Sequence, residues 1–478
     1  MTLKNRVLIG EDWLETEDKV EVRNPYTGEV VDSVYRATAV EAEQAIEAAA
    51  QSFRFVKQLP TYERADILYR TAAGIQERSD EIARLITAES GKPIKFSKGE
   101  VDRSVVTFTL AAEETKRLGG ELIPVDLART SRGRVAVTRR FPMGPILGIS
   151  PFNFPINLAA HKVAPALAAG NTFVLKPPSA SPLTGLLLGE IIRESGAPPG
   201  MINVVPCSVP VAEHLAKDDR FKLLTFTGSV PVGFDLKRIA GKKRVVLELG
   251  GNAAAVVHED ADLDFAVPRL VTGSFAHAGQ VCISVQRIMV HDTIYDTFEK
   301  RFVDAALTVK AGDPTDPETV IGPMISVKEA ERIESWIQEA AAGGADILTG
   351  GKRNGAVVEA TVMTNVAPDM AVSCKEAFAP VVVLSKYSDF EAAVREVNNS
   401  VYGLQAGVFT RDIARIWHAF REIETGGVII NDYPTFRVDN FAYGGVKDSG
   451  IGREGVKYAI EEMTELKTLI LNLSGLHL

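Results

Sequence analysis

Apolar residues recur at helical spacing through the first quarter of the chain and then give way to short uninterrupted runs. Helices are predicted over residues 38–57, 63–90 and 100–118, the first opened by Thr38 with Glu41 three positions on, the signature of a capping box. From residue 145, apolar runs at 146–149, 172–175, 202–205, 223–226 and 245–249 predict strands. Amphipathic stretches at 156–169, 183–195, 211–217 and 232–240 separate them and suit right-handed helical crossovers. This alternation predicts an α/β chain with a doubly wound, Rossmann-like parallel sheet of the nucleotide-binding kind. A second alternating series at 253–257, 287–290, 381–384, 406–409 and 428–430 predicts a further α/β domain that carries catalysis. Strands at 133–140 and 465–473 stand apart from both series and need partners.

The chain has 478 residues, more than the roughly 250–300 that one core supports, so two or three domains are expected. Its composition, 46% hydrophobic and 24% charged, is that of an ordinary globular protein. A net charge of −9 argues against nucleic acid or an acidic membrane as partner and leaves room for a local basic pocket. The cysteines, Cys207, Cys282 and Cys374, are odd in number and lack paired spacing, which argues against a disulfide framework or a metal cluster and for a reducing compartment. No apolar run approaches the ~18 residues of a membrane span, and the N-terminus lacks a signal-like core, so a cytoplasmic location is expected.

Three short segments carry candidate chemistry. Cys282 lies in Phe275-Ala276-His277-Ala278-Gly279-Gln280-Val281-Cys282-Ile283-Ser284, Glu248 in Leu247-Glu248-Leu249-Gly250-Gly251-Asn252, and Asn153 in Ser150-Pro151-Phe152-Asn153-Phe154-Pro155. A thiol, a carboxylate and an amide donor are the parts needed to attack a carbonyl: nucleophile, general base and oxyanion donor. A free cysteine titrates near ~8.5, so Cys282 needs a base, a dipole or a positive neighbour. Isolated cysteines are otherwise small buried hydrophobes, the reading given to Cys207 and Cys374. Glu248 ends a predicted strand before two glycines, at the carboxyl edge where α/β folds place their clefts. The usual Gly-x-Gly-x-x-Gly fingerprint of dinucleotide sites is absent.

These strings, together with Tyr443-Gly444-Gly445-Val446-Lys447-Asp448-Ser449-Gly450-Ile451-Gly452-Arg453-Glu454, resemble the aldehyde dehydrogenase superfamily, and the likeness covers nearly the whole chain. It implies a cofactor domain of residues 1–117 and 141–247, a catalytic domain of 248–449, and an oligomerisation arm with the C-terminal segment at 118–140 and 450–478. The arm would extend a neighbouring subunit's sheet in a homodimer or homotetramer. The resemblance makes Cys282 the nucleophile, Glu248 the base that activates water against the thioester, and Asn153 with the Cys282 N–H the oxyanion site. Lys162 corresponds to a family lysine near the catalytic glutamate. Coenzyme A-acylating relatives often lack that glutamate, so its presence implies a free acid as product.

The same likeness assigns NAD or NADP to a site built by Ser150, Pro151 and Phe152, by Lys176 and Ser179, by Phe226, Gly228, Ser229 and Val232, and by Leu249, Gly250, Glu376 and Phe378. Many NAD-using members carry a glutamate where this chain has Ser179. Serine removes a carboxylate that would repel a 2′-phosphate, so NADP should be accepted. Val209 and Glu213 depart from the two glycines that some relatives place beside the adenine. Asn431-Asp432-Tyr433-Pro434-Thr435-Phe436-Arg437 resembles members acting on lactaldehyde-like aldehydes, and Arg103 aligns with a substrate arginine of non-phosphorylating glyceraldehyde-3-phosphate dehydrogenases. Val281 stands where that group has a third arginine, which favours a hydroxyaldehyde or monoanionic semialdehyde over a phosphate. Oxidation of glyceraldehyde 3-phosphate, a cofactor-free thiol esterase and a non-catalytic dinucleotide-binding structural protein are the competing readings.

Overall fold

The computed structural model describes residues 4–474. The outermost parts of the predicted 1–117 and 450–478 segments, residues 1–3 and 475–478, lie outside the described residues. An eight-stranded sheet runs in the order Asp12–Leu14, Val7–Ile9, Ile202–Val204, Phe173–Lys176, Ile146–Ile149, Leu223–Thr227, Arg244–Glu248, Gly450–Ile451. Its five central strands are parallel and its outer pairings antiparallel. Register puts Ile149 beside both Lys176 and Phe226, and Thr227 beside Glu248. The predicted site residues at the ends of these strands therefore fall along one carboxyl edge, the edge at which open α/β sheets bind ligands.

Phe173–Lys176 and Leu223–Thr227 are buried throughout, as parallel strands covered on both faces must be. The helix Asn157–Ala169 is buried at every position and has no polar face, because it lies between the sheet and the helix Ile94–Arg117. A second sheet of seven strands runs Asp346–Thr349, Thr361–Thr364, Val381–Tyr387, Val285–His291, Ala253–Val257, Gln405–Phe409, Gly427–Ile430. It is parallel apart from its first, edge strand.

The differences from the predicted elements have local causes. The helices predicted from 211 and 232 start earlier, at Val209 and Val230, each with a proline in its first turn. Proline there costs no hydrogen bond and presets φ, so it opens these helices rather than blocking them. The predicted 63–90 helix is two, Thr61–Glu77 and Ser79–Ser90, separated at Arg78, whose φ of −98° and ψ of 17° leave the helical well. Four short strands, Val7–Ile9, Asp12–Leu14, Asp18–Arg23 and Val30–Arg36, precede the helices that were predicted to open the chain. The two isolated strands find each other: Arg134–Pro142 pairs antiparallel with Thr464–Asn472 along nine residues, with Leu122–Ile123 on the other side. Beyond Thr464 the outer strand is exposed, including Leu466, Leu469 and Ile470.

Glu89 fastens this scaffold. Its buried carboxyl accepts from Leu183 N at 2.8 Å, Thr184 N at 3.0 Å and the Thr184 hydroxyl, closing the N-terminus of the helix Leu183–Glu194. Leaving buried amides without partners costs about 1–3 kcal/mol each. Glu89→Ala is expected to lower the unfolding free energy by about 3 kcal/mol, measured by chemical denaturation.

Candidate functional site

A cavity of about 710 Å³ opens at the carboxyl edge of the first sheet and is closed by loops of the second. Ser150, Pro151, Phe152, Asn153, Lys176 and Ser179 line one side, followed by Phe226, Gly228 and Ser229 at the start of the helix Val230–Ile239. Glu248, Leu249, Gly250, Cys282, Glu376 and Phe378 complete the predicted set. Val232 is 48% exposed and lies off the cavity wall. Glu329, Arg332 and Trp336 also line the cavity. They come from the helix Val327–Ala342, whose sequence reads as an ordinary surface helix with no motif to single it out.

Cys282 follows three consecutive left-handed residues, His277 (φ 53°), Ala278 (φ 54°) and Gly279 (φ 65°). Such a run costs free energy and persists only where surrounding contacts impose it. Gln280 supplies them: its side chain donates to Pro323 O at 3.2 Å and accepts from Ile325 N at 2.8 Å, while its carbonyl accepts from Asn153 Nδ2 at 2.9 Å. One amide hydrogen of Asn153 is thus committed to the cysteine loop and the other is free. The Asn153 carbonyl accepts from buried Lys92 Nζ at 2.9 Å, and Lys92 pairs with buried Glu100 at 2.6 Å. Glu100 in turn accepts from Ile156 N at 3.0 Å and Asn157 N at 3.1 Å. Nothing in the local pattern around Lys92 or Glu100 marks them as the support of Asn153.

Burial pushes the Cys282 thiol up to about 11. Its one side-chain partner is the Tyr443 hydroxyl, with Sγ and Oη 3.2 Å apart. Cys207 is buried and Cys374 exposed, away from the cavity wall.

Glu248 is buried with neither carboxyl oxygen hydrogen-bonded. Burial, and then the nearby Glu454, hold its carboxyl well above the usual range. Glu454, equally buried, behaves in the opposite way. It pairs with Lys162 at 2.8 Å and Arg437 at 3.0 Å, and these cations hold it down to about 2 against the cost of burial. Lys162 also donates to Thr225 at 3.2 Å, beneath the sheet edge rather than on the cavity wall. The Arg437 guanidinium lies 3.7 Å from the centre of the Tyr443 ring. Arg103 grips Asp439 through two nitrogens at 2.6 and 3.3 Å, and His161 meets the same carboxylate at 2.8 Å. Neither arginine forms part of the cavity wall.

At the far end of the cavity Lys176 Nζ donates to Ser179 Oγ at 3.1 Å. Glu376 accepts from Gly251 N at 3.1 Å, and burial raises its carboxyl to about 7. A Cβ on Gly250 would come within 2.2 Å of Glu376 Oε2, so only glycine admits the carboxylate here. Phe152 and Phe378 meet edge to face with centres 6.0 Å apart. Ser150 Oγ and Thr227 Oγ1 are buried without partners. Among the described residues no group of His, Cys, Asp or Glu is placed to hold a metal ion, and no helix is long and apolar enough to cross a membrane.

The chain matches the model of the aldehyde dehydrogenase family over residues 13–469. It is 44% identical to the 3-sulfolactaldehyde dehydrogenase of Priestia aryabhattai over 97% of each chain. The crystal structure of aldehyde dehydrogenase 21 from Physcomitrella patens in complex with the reaction product succinate superposes with a TM-score of 0.97 at 46% identity, covering 98% of both chains. That of glyceraldehyde-3-phosphate dehydrogenase GapN from Methanocaldococcus jannaschii complexed with NADP gives 0.92 at 40% identity, covering 96% of this chain and all (100%) of that one.

The cysteine loop offers a direct test of its packing. A Cβ on Gly279 would sit 2.1 Å from the Ala379 carbonyl oxygen, at a φ of 65°. Gly279→Ala is expected to cost about 2 kcal/mol or more and to alter the alkylation rate of Cys282, read by denaturation and by iodoacetamide labelling.

Proposed function

Because the chain belongs to the aldehyde dehydrogenase family, an enzyme family that oxidises aldehydes with NAD(P), we propose that it converts a small hydroxyaldehyde or monoanionic semialdehyde to its carboxylic acid. The observation that carries this reading is the convergence of Cys282, Asn153 and Glu248 on one cavity from three distant stretches of chain. In this reading the Cys282 thiolate attacks the carbonyl carbon, and the charge that develops on oxygen meets the free amide hydrogen of Asn153 and the Cys282 N–H. NAD(P) held in the cavity would supply the hydride acceptor, and loss of the hydride from the Cys282 adduct would leave a thioester on Cys282. Glu248 then takes a proton from water, which attacks the thioester and releases the acid. Its buried, unpaired carboxyl suits a base whose affinity for protons has been raised by burial.

The cavity fits a dinucleotide in several respects. Buried Ser150 Oγ and Thr227 Oγ1 lack partners, the helix Val230–Ile239 turns its N-terminus to the wall, and such ends favour phosphates. Glu376 suits the nicotinamide ribose. Lys176 with Ser179 forms a cationic, carboxylate-free corner suited to a 2′-phosphate, and the GapN relative was crystallised with NADP. For the substrate, the succinate bound by the moss relative and the sulfolactaldehyde named for the Priestia relative are both anionic. Arg437, buried off the cavity wall but beside Tyr443 and Cys282, is the cation we assign to that charge, acting through its field rather than by contact. Arg103, gripped by Asp439, is assigned to holding the His161 side of the pocket. The exposed leucines of Thr464–Asn472 support a homo-oligomer joined through this arm, with the cofactor and catalytic domains divided at residue 248.

Glu248→Gln should leave a stoichiometric burst of NAD(P)H and slow steady turnover by roughly a hundredfold or more, because an amide takes no proton from water. In the unaltered enzyme turnover should fall as pH drops through the raised Glu248 titration, since only the carboxylate acts as base. Loss of the burst with cofactor binding intact would place Glu248 earlier in the reaction.

Arg437→Leu should lower kcat/KM for succinate semialdehyde relative to propanal by about tenfold, because the pocket loses a buried positive charge beside Cys282. Arg103→Leu should change that ratio less. An equal loss for charged and neutral aldehydes in Arg437→Leu would make this arginine structural.

A further inference from the structure

We propose that the Tyr443 hydroxyl is a catalytic group of this site, donating a hydrogen bond to the Cys282 thiolate and so setting how much of the nucleophile is present. The proposal rests on Cys282 as the attacking residue. Sγ and Oη are 3.2 Å apart, within hydrogen-bonding reach for sulfur, and no other side chain is bonded to either atom among the described residues. In the neutral pair either atom can donate. Once the thiol has lost its proton to solvent, sulfur only accepts, and the phenol proton has a single destination.

The surroundings hold the phenol in this role. Tyr443 is 2% exposed, and its backbone is bridged to Glu454 in both directions, N–H to carbonyl at 3.0 and 2.6 Å. Arg437, fixed by Glu454, lies over the ring at 3.7 Å, where its positive charge draws electron density from the oxygen and strengthens the donor. Burial, and then the neighbouring sulfur, hold the phenol well above its usual range, so it keeps its proton. The charged groups that face Cys282 are Arg437, which favours the thiolate, and Glu376 and Glu248, which oppose it. Glu248 makes no hydrogen bond to the thiol. The tyrosine is therefore the group in contact with sulfur that can offset the cost of burying its charge. When sulfur bonds to the aldehyde carbon its charge passes to the carbonyl oxygen, and the bond from Tyr443 loses its ionic strength.

This predicts a particular signature in Tyr443→Phe, which keeps the ring and the arginine above it. A hydrogen bond to a charged group is worth about one unit of pKa or more, so the pH midpoint for iodoacetamide alkylation of Cys282 should rise by about one unit, and labelling near neutral pH should be about threefold slower, a tenfold loss of thiolate partly offset by its greater reactivity. A thiolate of higher pKa is intrinsically more nucleophilic, so the rate on the high-pH plateau should rise about threefold. A merely structural disturbance does not produce both changes. Labelling is read peptide by peptide on the full-length protein, with exposed Cys374 as reference and buried Cys207 reporting unfolding. Should Cys207 become labelled in Tyr443→Phe, 3-fluorotyrosine incorporated at position 443 decides the matter, since a more acidic phenol should move the midpoint down. An unchanged midpoint in a folded Tyr443→Phe, or in the fluorinated protein, overturns the proposal. Retention of aldehyde oxidation by Cys282→Ala would instead overturn the role of the cysteine, a failure that the labelling of Cys282 does not share.

Discussion

Glu454, buried between Lys162 and Arg437, is the contact on which the interior of this site depends. Three remote parts of the chain meet there: the all-buried helix Asn157–Ala169, the loop before Tyr443, and the segment entering the last helix. An ion pair taken out of water is held only if its partners stay, and removing one partner of a buried pair typically costs about 3–5 kcal/mol because the other charge is left unmatched. Here the loss would spread. Arg437 carries the Tyr443 ring, Tyr443 meets Cys282, and Lys162 is tied to Thr225 in the central strand Leu223–Thr227.

The same contact separates two carboxyl groups that burial alone would treat alike. Glu454 has two cations within hydrogen-bonding distance and stays ionised; Glu248 has none and is raised, the more so because Glu454 is charged. Pairs of titratable groups driven apart by their settings are the usual arrangement where one must hold charge and the other exchange a proton. Gly444 leaves room for the Glu248 carboxyl, since a Cβ there would stand 2.8 Å from Glu248 Oε1.

What the sequence made legible was whatever is written locally. Alternating apolar runs reproduced the central strands of both sheets, with Ile146–Ile149 and Ala253–Val257 matching end to end, because strands buried on both faces need uninterrupted apolar residues. Glu248 stood out because it ends such a strand, Asn153 because it follows one, and Cys282 because of its compact Gly-Gln-x-Cys string ahead of the strand Val285–His291. The supports of those residues were not legible. Lys92 and Glu100 hold Asn153, and Glu454 governs Glu248, through contacts across dozens to hundreds of positions that no periodicity records. Arm strands looked solitary because Arg134–Pro142 and Thr464–Asn472 pair across most of the chain. Arg332 and Trp336 reach the cavity from a helix whose amphipathic pattern is that of any surface helix.

Charge balance around the cysteine bears on the substrate in a way that the arginine count alone does not. Arg103 looked free in the sequence, but with Asp439 and a His161 kept neutral by burial it forms a group of no net charge. Arg437 and Lys162 against Glu454 leave one positive charge within that trio, while Glu376 and Glu248 face Cys282 from their own sides. The excess positive charge of that trio favours an anionic group nearby over a neutral one. A phosphate dianion would bring a second negative charge into this low-dielectric interior without a partner, at a desolvation cost of several kcal/mol. Val281, at the position before Cys282, adds no cation to meet it. The charge of these groups thus bears on the substrate proposed above for reasons independent of any likeness in sequence.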